Sequence, residues 1–440
     1  MDRVYDLIIV GGGITGTALL FAASRYTDIR SILLLEKYGK LATLNSNARS
    51  NSQTLHVGDV ETNYSKEKAL KVKEEALYLL NYTKKFIQQY EKDKVIQQCQ
   101  KMVLGVGDEE GHMLEKTFDS IRSSYPGLKL IGRSELATIE PRTVKGRPKD
   151  EKLTALLSDM GYMLNFGNVA ESFVKNATMS KKKIDVKFDS PVTKVERGDD
   201  YYRVYVKGDI FKAKFVAFEA GTYSLYFAKK LGYDKGLSIL AIGGGYYFSK
   251  RLLRGKVYRV QHGGIPFAAI HADPDITNPD VIRYGPTVSL EFELEKGHPE
   301  TIPDYIKTFN TDAKNISAIN HILMNEDIKR IIENNMSYSL PVVGKHRFVE
   351  NEAKKIIPNI KYDDVWIDRS TGGIRPQIVD ENTGSLMLGE AKLQKEGFIF
   401  NITPSPGASS CLGSALEDIK YICKYIDANF DIESFKNELG

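Results

Sequence analysis

The N-terminal segment combines an apolar run, a glycine-rich turn and a second apolar run at fixed spacings. Gly11, Gly13 and Gly16 follow the first run directly, and the second run ends at Glu36, twenty residues beyond Gly16. This order of strand, glycine turn, helix, strand and acid is the fingerprint of a dinucleotide-binding βαβ unit. Gly11 permits a tight turn, Gly13 lets the backbone approach a pyrophosphate, and Gly16 allows close packing of helix on strand. We therefore predict a Rossmann-type domain in which the helix N-terminus faces phosphates.

Composition limits the classes of protein that remain. The 440 residues are 42% hydrophobic and 27% charged with a net charge of +4, and the three cysteines lack metal-type spacing. This favours a two-domain globular protein in a reducing cytoplasm, without a signal peptide because the first strand begins beside Met1. No apolar run has the ~20 residues that span a bilayer. The basic run 181–183 is more typical of a solvated turn than of a nucleic-acid surface, which argues against a flavin-dependent RNA-modifying enzyme.

Periodicity predicts the elements that follow. A long amphipathic helix is expected over 65–94, broken near Asn81, and helix returns over 302–334. Strands are expected over 101–106, 184–188, 201–207, 211–218, 246–249, 257–260 and 282–292. The strand that ends at Phe218 stops at the small-residue turn 219–221.

The C-terminal segment repeats the strand, turn and helix order of the N-terminal one. A strand over 398–402 precedes the turn 403–407 and a helix from Ala408 to Tyr425. The nucleotide domain is then closed by the C-terminal segment, as in glutathione-reductase-like flavoproteins, where the last helix N-terminus stabilises negative charge on the reduced flavin ring. We predict an α/β fold: a glutathione-reductase-like FAD-binding Rossmann domain with an inserted α+β substrate domain on a mixed antiparallel sheet. The FAD-binding domain comprises 1–75, 150–235 and 365–440, and the substrate-binding domain comprises 76–149 and 236–364.

Five segments carry candidate site residues. The polar block 46–56 contains Ser and Asn residues that can bond phosphate and ribitol oxygens and ends at His56, although an ordinary solvated loop is an equal alternative.

His271 can take a hydroxyl proton near neutral pH, but a core histidine is the favoured alternative from sequence alone. Arg283 follows it and can return a cation to the same place. Arg375, between Gly373 and Pro376, suits a carboxylate held by a planar fork, with a surface turn as the alternative. Lys345 belongs to a basic cluster that is more typical of a solvated surface.

Together these segments resemble one family, the malate:quinone oxidoreductases, which are related to D-amino-acid oxidase. The resemblance lies in the following blocks, which span nearly the whole chain in order: 11–16, 48–56 with 61–65, 255–261, 266–275, 283–287, 373–377 and 401–411.

The resemblance implies FAD without a metal, L-malate as substrate, oxaloacetate as product and a membrane quinone as electron acceptor, in the tricarboxylic acid cycle. It implies a cytoplasmic protein attached peripherally to the inner face of the plasma membrane. His271 becomes the base, Arg375 the carboxylate anchor and His56 a catalytic neighbour of the flavin, with hydride passing to flavin N5. The implied cofactor residues are Gly11, Gly13, Ile14, Thr15, Gly16, Glu36, Lys37, Asn51, Ser52, Gln53, Thr54, Val192, Ala220, Gly221, Gly407, Ala408 and Ser409. The implied substrate residues are His56, His271, Arg283, Lys345, Arg375 and Gln377.

Two alternatives stay open at this stage. Several blocks also resemble L-2-hydroxyglutarate oxidases, whose substrate is longer than malate by one methylene, a difference typically worth only ~1–3 kcal/mol in a pocket. The other alternative is a non-catalytic FAD-bearing interaction protein, which would have no need of a histidine and an arginine at the ring.

Overall fold

The computed structural model describes residues 4–233, 236–261, 270–309, 313–338, 340, 342–387, 391–403 and 406–440. Its strands are β1 (Val4–Val10), β2 (Ser31–Leu35), β3 (Ile96–Gln98), β4 (Lys101–Val106), β5 (Lys129–Gly132), β6 (Leu153–Ser158), β7 (Tyr162–Leu164), β8 (Lys183–Lys187), β9 (Val192–Arg197), β10 (Tyr202–Val206), β11 (Asp209–Phe218), β12 (Leu237–Lys250), β13 (Lys256–Arg259), β14 (His271–Pro274), β15 (Val281–Gly285), β16 (Ser289–Leu290), β17 (Val365–Asp380), β18 (Ser385–Met387), β19 (Lys392–Lys395) and β20 (Phe398–Asn401).

The helices are α1 (Ile14–Tyr26), α2 (Lys66–Phe86), α3 (Lys92–Val95), α4 (Gly107–Ile121), α5 (Arg133–Ile139), α6 (Pro141–Val144), α7 (Phe166–Thr178), α8 (Tyr223–Lys230), α9 (Ile302–Ile306), α10 (Ala313–Met324), α11 (Glu326–Tyr338), α12 (Val343–Phe348), α13 (Lys354–Ile356), α14 (Cys411–Ile426) and α15 (Ile432–Leu439). Short 3₁₀ turns lie at Pro299–Thr301 and Tyr362–Asp364, and a π turn lies at Val349–Ala353.

The first sheet joins the two ends of the chain. Its strands lie in the order β19-β20-β11-β1-β2-β8, with β9 and β10 extending it beside β11, and β1 runs parallel to both β2 and β11. The C-terminal parts of the central strands, over 7–10, 32–35 and 215–218, are continuously apolar because helices cover the sheet there: α1 packs against α7 and α14 on one face. The C-terminal strand β20 is parallel to β11, as the repeated strand–turn–helix order predicts.

The second sheet is larger and mainly antiparallel. Its order is β18-β17-β12-β15-β14-β13-β4-β6-β5, and the long strands β12 and β17 pair with each other over most of their length. A single apolar cluster contains Ile239 and Ile378 from this sheet together with Ile8 and Phe218 from the first. The two sheets therefore share a core, and the edge where they meet is placed to form a cavity.

Three sequence-based boundaries are wrong. Helix α2 continues past Asn81 to Phe86, because the Asn81 amide points outward and donates to the carbonyls of Leu439 and Gly440. The C-terminal helix begins at Cys411 rather than Ala408, after a turn. His271 begins strand β14 instead of ending a strand, and residues 266–269 of that expected strand lie outside the described residues.

Candidate functional site

An elongated cavity of about 640 Å³ runs between the two sheets from the glycine turn to the inner edge of β17. It contains most of the residues that the sequence predicts for the cofactor and two of the three predicted catalytic residues. These predicted residues in its wall are Gly11, Gly13, Ile14, Thr15, Glu36, Lys37, Asn51, Ser52, Thr54, His56, Val192, Ala220, Gly221, Arg375, Gly407, Ala408 and Ser409.

The glycine turn has the geometry that its spacing predicts. Gly11 has φ +116°, and a Cβ there would lie 2.4 Å from the Glu219 carbonyl oxygen. A Cβ on Gly16 would lie 2.0 Å from the Gly11 carbonyl oxygen, so this residue serves helix packing and does not line the cavity. A Cβ on Gly13 would meet only the Ser46 hydroxyl, at 3.2 Å. The backbone at Gly13 is therefore open to the cavity at the positive end of α1.

Glu36 and Ser46 hold this turn in place. One Glu36 carboxylate oxygen accepts from the Gly12 N–H at 2.7 Å, and the other accepts from the Tyr38 N–H at 2.9 Å. Burial nevertheless raises the pKa of the Glu36 carboxyl, since these hydrogen bonds only partly offset the desolvation. The Ser46 hydroxyl accepts from the Ile14 N–H at 2.9 Å, at the first turn of α1. Lys37 is paired with Glu295 at 2.7 Å.

A buried acid, Glu219, lies in the cavity wall beside the glycine turn. Burial raises the pKa of its carboxyl to about 8, and repulsion from Asp418 adds to this effect. The Asn401 amide donates to the carboxyl at 2.9 Å. Glu219 is therefore mainly protonated at pH 7 and adds little negative charge where phosphates are expected.

Because of the raised pKa of Glu219, we expect the folded protein to become less stable as pH rises. Its pKa in the fold is above the ordinary value of 4.5, so the folded protein holds one proton more than the unfolded chain between pH 4.5 and about 8. The stabilisation is complete below 4.5 and is lost as pH rises through 8. We expect Glu219→Gln to flatten the fall of the melting temperature between pH 6 and 9, measured by calorimetry. Glu417→Gln, at an exposed acid, is the control, and an equal decline in Glu219→Gln and the parent would refute this role.

His56 and Glu61 form a hydrogen-bonded pair at the other end of the cavity. The His56 Nδ1 lies 2.6 Å from a Glu61 carboxylate oxygen, and the His56 backbone N–H donates to the Ser409 hydroxyl. Burial alone would raise the pKa of Glu61, but the hydrogen bond from His56 and the charges of His56 and Lys101 lower it to about 2. Because an ionised carboxylate only accepts, Nδ1 carries the proton of this hydrogen bond, and in the neutral form of the ring the lone pair is on Nε2. Nε2 has no hydrogen bond to any residue that the structure describes.

His271 lies behind this wall in a buried charged cluster. Its Nδ1 contacts the Asp273 carboxylate, Lys256 pairs with Asp273 at 3.1 Å, and its ring stacks on Tyr258 with centroids 4.7 Å apart. Burial lowers the pKa of His271, and the attraction of Asp273 offsets this only in part. Lys256 also donates to the Thr54 hydroxyl at 2.9 Å, which links the cluster to the cavity wall. His271 is therefore neutral and buried, and is not among the lining residues.

Arg375 lies in the wall on β17, opposite Ile242 of β12. Its positive charge lies near the Tyr246 hydroxyl and, with that of Arg283, partly offsets the rise that burial causes in the pKa of this phenol. The Asn45 side chain fixes the strand next to it, because it donates to the Ile374 carbonyl and accepts from the Ile374 N–H at 2.8 and 3.1 Å. A half-exposed guanidinium on a fixed strand is suited to hold a carboxylate.

Four other predicted site residues do not line the cavity. Gln53 and Arg283 are buried and fix the loop 46–56: the Gln53 amide donates to the Ala48 carbonyl at 3.0 Å, and Arg283 donates to the same carbonyl at 2.7 Å. Gln377 is buried in β17. Lys345 lies on α12 with its ammonium 3.8 Å from the Tyr362 ring centroid. Their predicted contacts with cofactor or substrate remain untested.

The cavity also contains residues that the sequence did not single out. Ser46, Asn45, Tyr246 and Glu219 lie in its wall. Glu61 does not line the cavity but hydrogen-bonds His56, which does. Ser46 belongs to the polar block 46–56 and Asn45 directly precedes it, so this block was the sequence signal for both residues. Tyr246 and Glu219 fall in the predicted strand 246–249 and turn 219–221, but only strand pairing places them beside the site.

Solved structures with this fold define the class. Glycine oxidase from Geobacillus kaustophilus superposes with a TM-score of 0.65 at 15% identity, covering 99% of this chain and 98% of that one. L-α-glycerophosphate oxidase from Mycoplasma pneumoniae, solved with FAD bound, gives 0.63 at 17% identity over 96% and 95%. With a glycine turn and an elongated cavity between two sheets, this chain has the fold of that class of oxidoreductases.

Sequence relatives narrow the class to one family. The malate:quinone oxidoreductase family model matches residues 3–437. A probable malate:quinone oxidoreductase from Campylobacter jejuni is 36% identical over 100% of this chain and 99% of its own length, and the Helicobacter pylori enzyme is 35% identical over the same shares. Human mitochondrial L-2-hydroxyglutarate dehydrogenase is 26% identical over 93% and 86%. The chain belongs to the malate:quinone oxidoreductase family, which confirms the predicted resemblance.

Proposed function

We propose that this protein is a FAD-dependent enzyme that oxidises L-malate to oxaloacetate and passes the electrons to a membrane quinone. One observation carries the proposal: in a chain similar to malate:quinone oxidoreductases over its full length, a single cavity leads from a dinucleotide-type glycine turn to His56 and Arg375. The 36% identity to a malate:quinone oxidoreductase, against 26% to an L-2-hydroxyglutarate dehydrogenase, favours malate as the substrate.

The cavity fits an extended FAD. Gly11 to Thr15 and Ser46 would hold the pyrophosphate at the N-terminus of α1, and Glu36 would lie at the adenosine ribose. The segment 407–409, just before α14, would face the flavin ring from the positive end of that helix. A volume of about 640 Å³ is within the range of sites that enclose a ligand. Bound FAD would supply the acceptor for the two electrons and the hydrogen on substrate C2.

The residues at the other end of the cavity would orient the substrate and take its proton. Arg375 would hold one carboxylate, which fixes the position of C2. His56 Nε2, with its lone pair directed away from Glu61, would accept the hydroxyl proton, and ionised Glu61 would stabilise the imidazolium that forms. The assignment of the base to His271, made from the sequence, stays a prediction; the cavity wall favours His56 for this role.

The proposed division into domains agrees with the two sheets only in part, because β6, β17 and β18 lie in the segments 150–235 and 365–440 but pair in the second sheet. The segments 1–75, 150–235 and 365–440 would form a glutathione-reductase-like FAD-binding domain, and 76–149 with 236–364 would form the substrate-binding domain. The parallel pairing of β1, β11 and β20 supports this division. No helix among the described residues is both long and apolar enough to cross a bilayer. We propose peripheral attachment, at the inner face of the plasma membrane, as the route to quinone.

Anaerobic reduction of the bound flavin tests the proposal. The purified yellow protein is mixed with L-malate, and separately with L-2-hydroxyglutarate, and the flavin absorbance is followed. We expect fast bleaching by L-malate that a soluble quinone reverses and NAD does not. Bleaching by L-2-hydroxyglutarate alone would contradict the proposed substrate, and the absence of bleaching by either acid would contradict the proposed reaction.

A further inference from the structure

Exposed apolar side chains are concentrated in one part of this chain. Of the nineteen large hydrophobic residues that are exposed in the described structure, thirteen lie between residues 292 and 387. That stretch is less than a quarter of the sequence. Scattered single apolar residues are normal on a protein surface, whereas a concentration of this kind marks a surface that another body covers.

The concentration is densest where α11 ends and α12 begins. Met336, Leu340, Val342 and Val343 are 56%, 51%, 78% and 50% exposed, and we call these four residues the apolar patch. Gly344 fixes this turn, because its N–H donates to the Leu340 carbonyl and a Cβ on it would lie 2.3 Å from the Tyr338 carbonyl oxygen. This hydrogen bond connects Leu340 of the apolar patch to the start of α12.

Basic residues follow the apolar patch directly on α12. Neither Lys345 nor Arg347 forms an ion pair with any residue that the structure describes, although the Lys345 ammonium lies over the Tyr362 ring. The acids that come next are occupied: Glu350 pairs with Lys354 at 2.6 Å, and Glu352 pairs with Lys355 at 3.2 Å. Apolar side chains bordered by unpaired cations match the two layers of an anionic lipid surface, acyl chains below and phosphates above.

Hydrogen bonds connect α11, which ends at the apolar patch, to strands beside the cavity. The Tyr247 hydroxyl donates to the Tyr338 carbonyl at 2.6 Å, next to the cavity residue Tyr246. The Asn335 side chain accepts from the Val288 N–H at 2.8 Å, two residues beyond Pro286, which lines the cavity. Helix α11 therefore connects the patch to the strands that surround the site.

We propose that the apolar patch, with Arg347 beside it, docks this protein on an anionic lipid bilayer and brings the cavity to the membrane from which quinone enters. The inference rests on the proposed function, because a lipid-soluble acceptor is the reason for a bilayer at this face. Val342 and Val343 enter the interfacial layer of the bilayer, and Lys345 and Arg347 on α12 contact lipid phosphates. A second copy of the chain is the competing occupant.

Vesicle binding by the holoprotein tests the docking surface. The variant Val342→Glu/Val343→Glu is compared with the parent by co-flotation with vesicles of phosphatidylcholine and phosphatidylglycerol. We expect bound protein to fall by at least about tenfold, since two apolar contacts become carboxylates that the surface repels. The rate with a long-chain quinone embedded in the vesicles falls accordingly. Arg347→Glu is expected to weaken binding to these vesicles but not to vesicles of pure phosphatidylcholine.

Two controls separate this inference from the proposed function. Met179→Glu changes a side chain that is 76% exposed outside the patch and should bind vesicles like the parent. Anaerobic flavin reduction by L-malate should be unchanged in the double variant, which also shows that it is folded. Parental vesicle binding by the double variant would overturn the docking surface, as would a parent dimer that the double variant dissociates. A parent whose flavin L-malate fails to reduce would refute the proposed function, while its vesicle binding would still be measured.

Discussion

Replacing His56 by Ala is expected to slow the anaerobic reduction of bound flavin by L-malate by about 10²- to 10⁴-fold, the usual contribution of a general base. Among the residues that the structure describes, His56 is the histidine that lines the cavity, and its Nδ1 is occupied by Glu61 at 2.6 Å, which leaves Nε2 for the substrate hydroxyl. The measurement is stopped-flow flavin absorbance across pH 5–9. The affinity for substrate should change far less than the reduction rate, because the proton is transferred only as the reaction proceeds.

Two further variants make this prediction specific. Glu61→Gln should keep the position of the ring but remove the charge that stabilises the imidazolium, so an intermediate loss is expected. His271→Ala should lower the melting temperature, because it removes a partner of the buried ion pair between Asp273 and Lys256. The rate of flavin reduction should stay closer to the parental value. A loss of flavin reduction in His271→Ala together with a parental rate in His56→Ala would return the base to His271.

Replacing Arg375 by Lys is expected to weaken dicarboxylate binding by about ten- to a hundredfold, because a point charge cannot form the two parallel hydrogen bonds of a guanidinium. Arg375 is held between the Asn45-bound Ile374 and Pro376, so its planar group has a fixed approach to the cavity. Succinate, which lacks the hydroxyl that is oxidised, allows binding to be measured by the flavin spectrum without turnover.

The control for this variant lies on the same strand. Arg369→Lys changes an exposed arginine earlier on β17 and should leave succinate binding at the parental value. Arg375→Lys should also lose the preference for L-malate over L-lactate, which has one carboxylate. Equal succinate affinity in Arg375→Lys and the parent would remove Arg375 from the substrate site.

Local backbone requirements were predictable from the sequence. Glycine is required at Gly11 by a positive φ and at Gly16 by the close approach of α1 to the Gly11 carbonyl. The strand that ends at Phe218 and the C-terminal strand β20 were placed correctly for the same reason, because an apolar run bounded by small residues is a local signal.

Those parts of the cavity wall that are made by pairing between distant strands were not predictable. Tyr246 reaches Arg375 only through the long pairing of β12 with β17, and Glu219 reaches Gly11 only because β1 and β11 are parallel neighbours. The two histidines show the same limit. Both carry a carboxylate partner, but only the three-dimensional arrangement places His56 at the surface of the cavity and His271 beneath it.

The parallel pairing of β20 with β11 has a consequence for synthesis on the ribosome. Folding of a nascent chain proceeds from the N-terminus as residues emerge. Here the glycine turn is made first, but the strand beside β11 and the segment 407–409 of the cavity wall are made some four hundred residues later. Until then residues 216–218 of β11 lack a neighbouring strand on one side and the wall is incomplete. We therefore expect the cofactor to be captured only after the segment 407–409 has been synthesised.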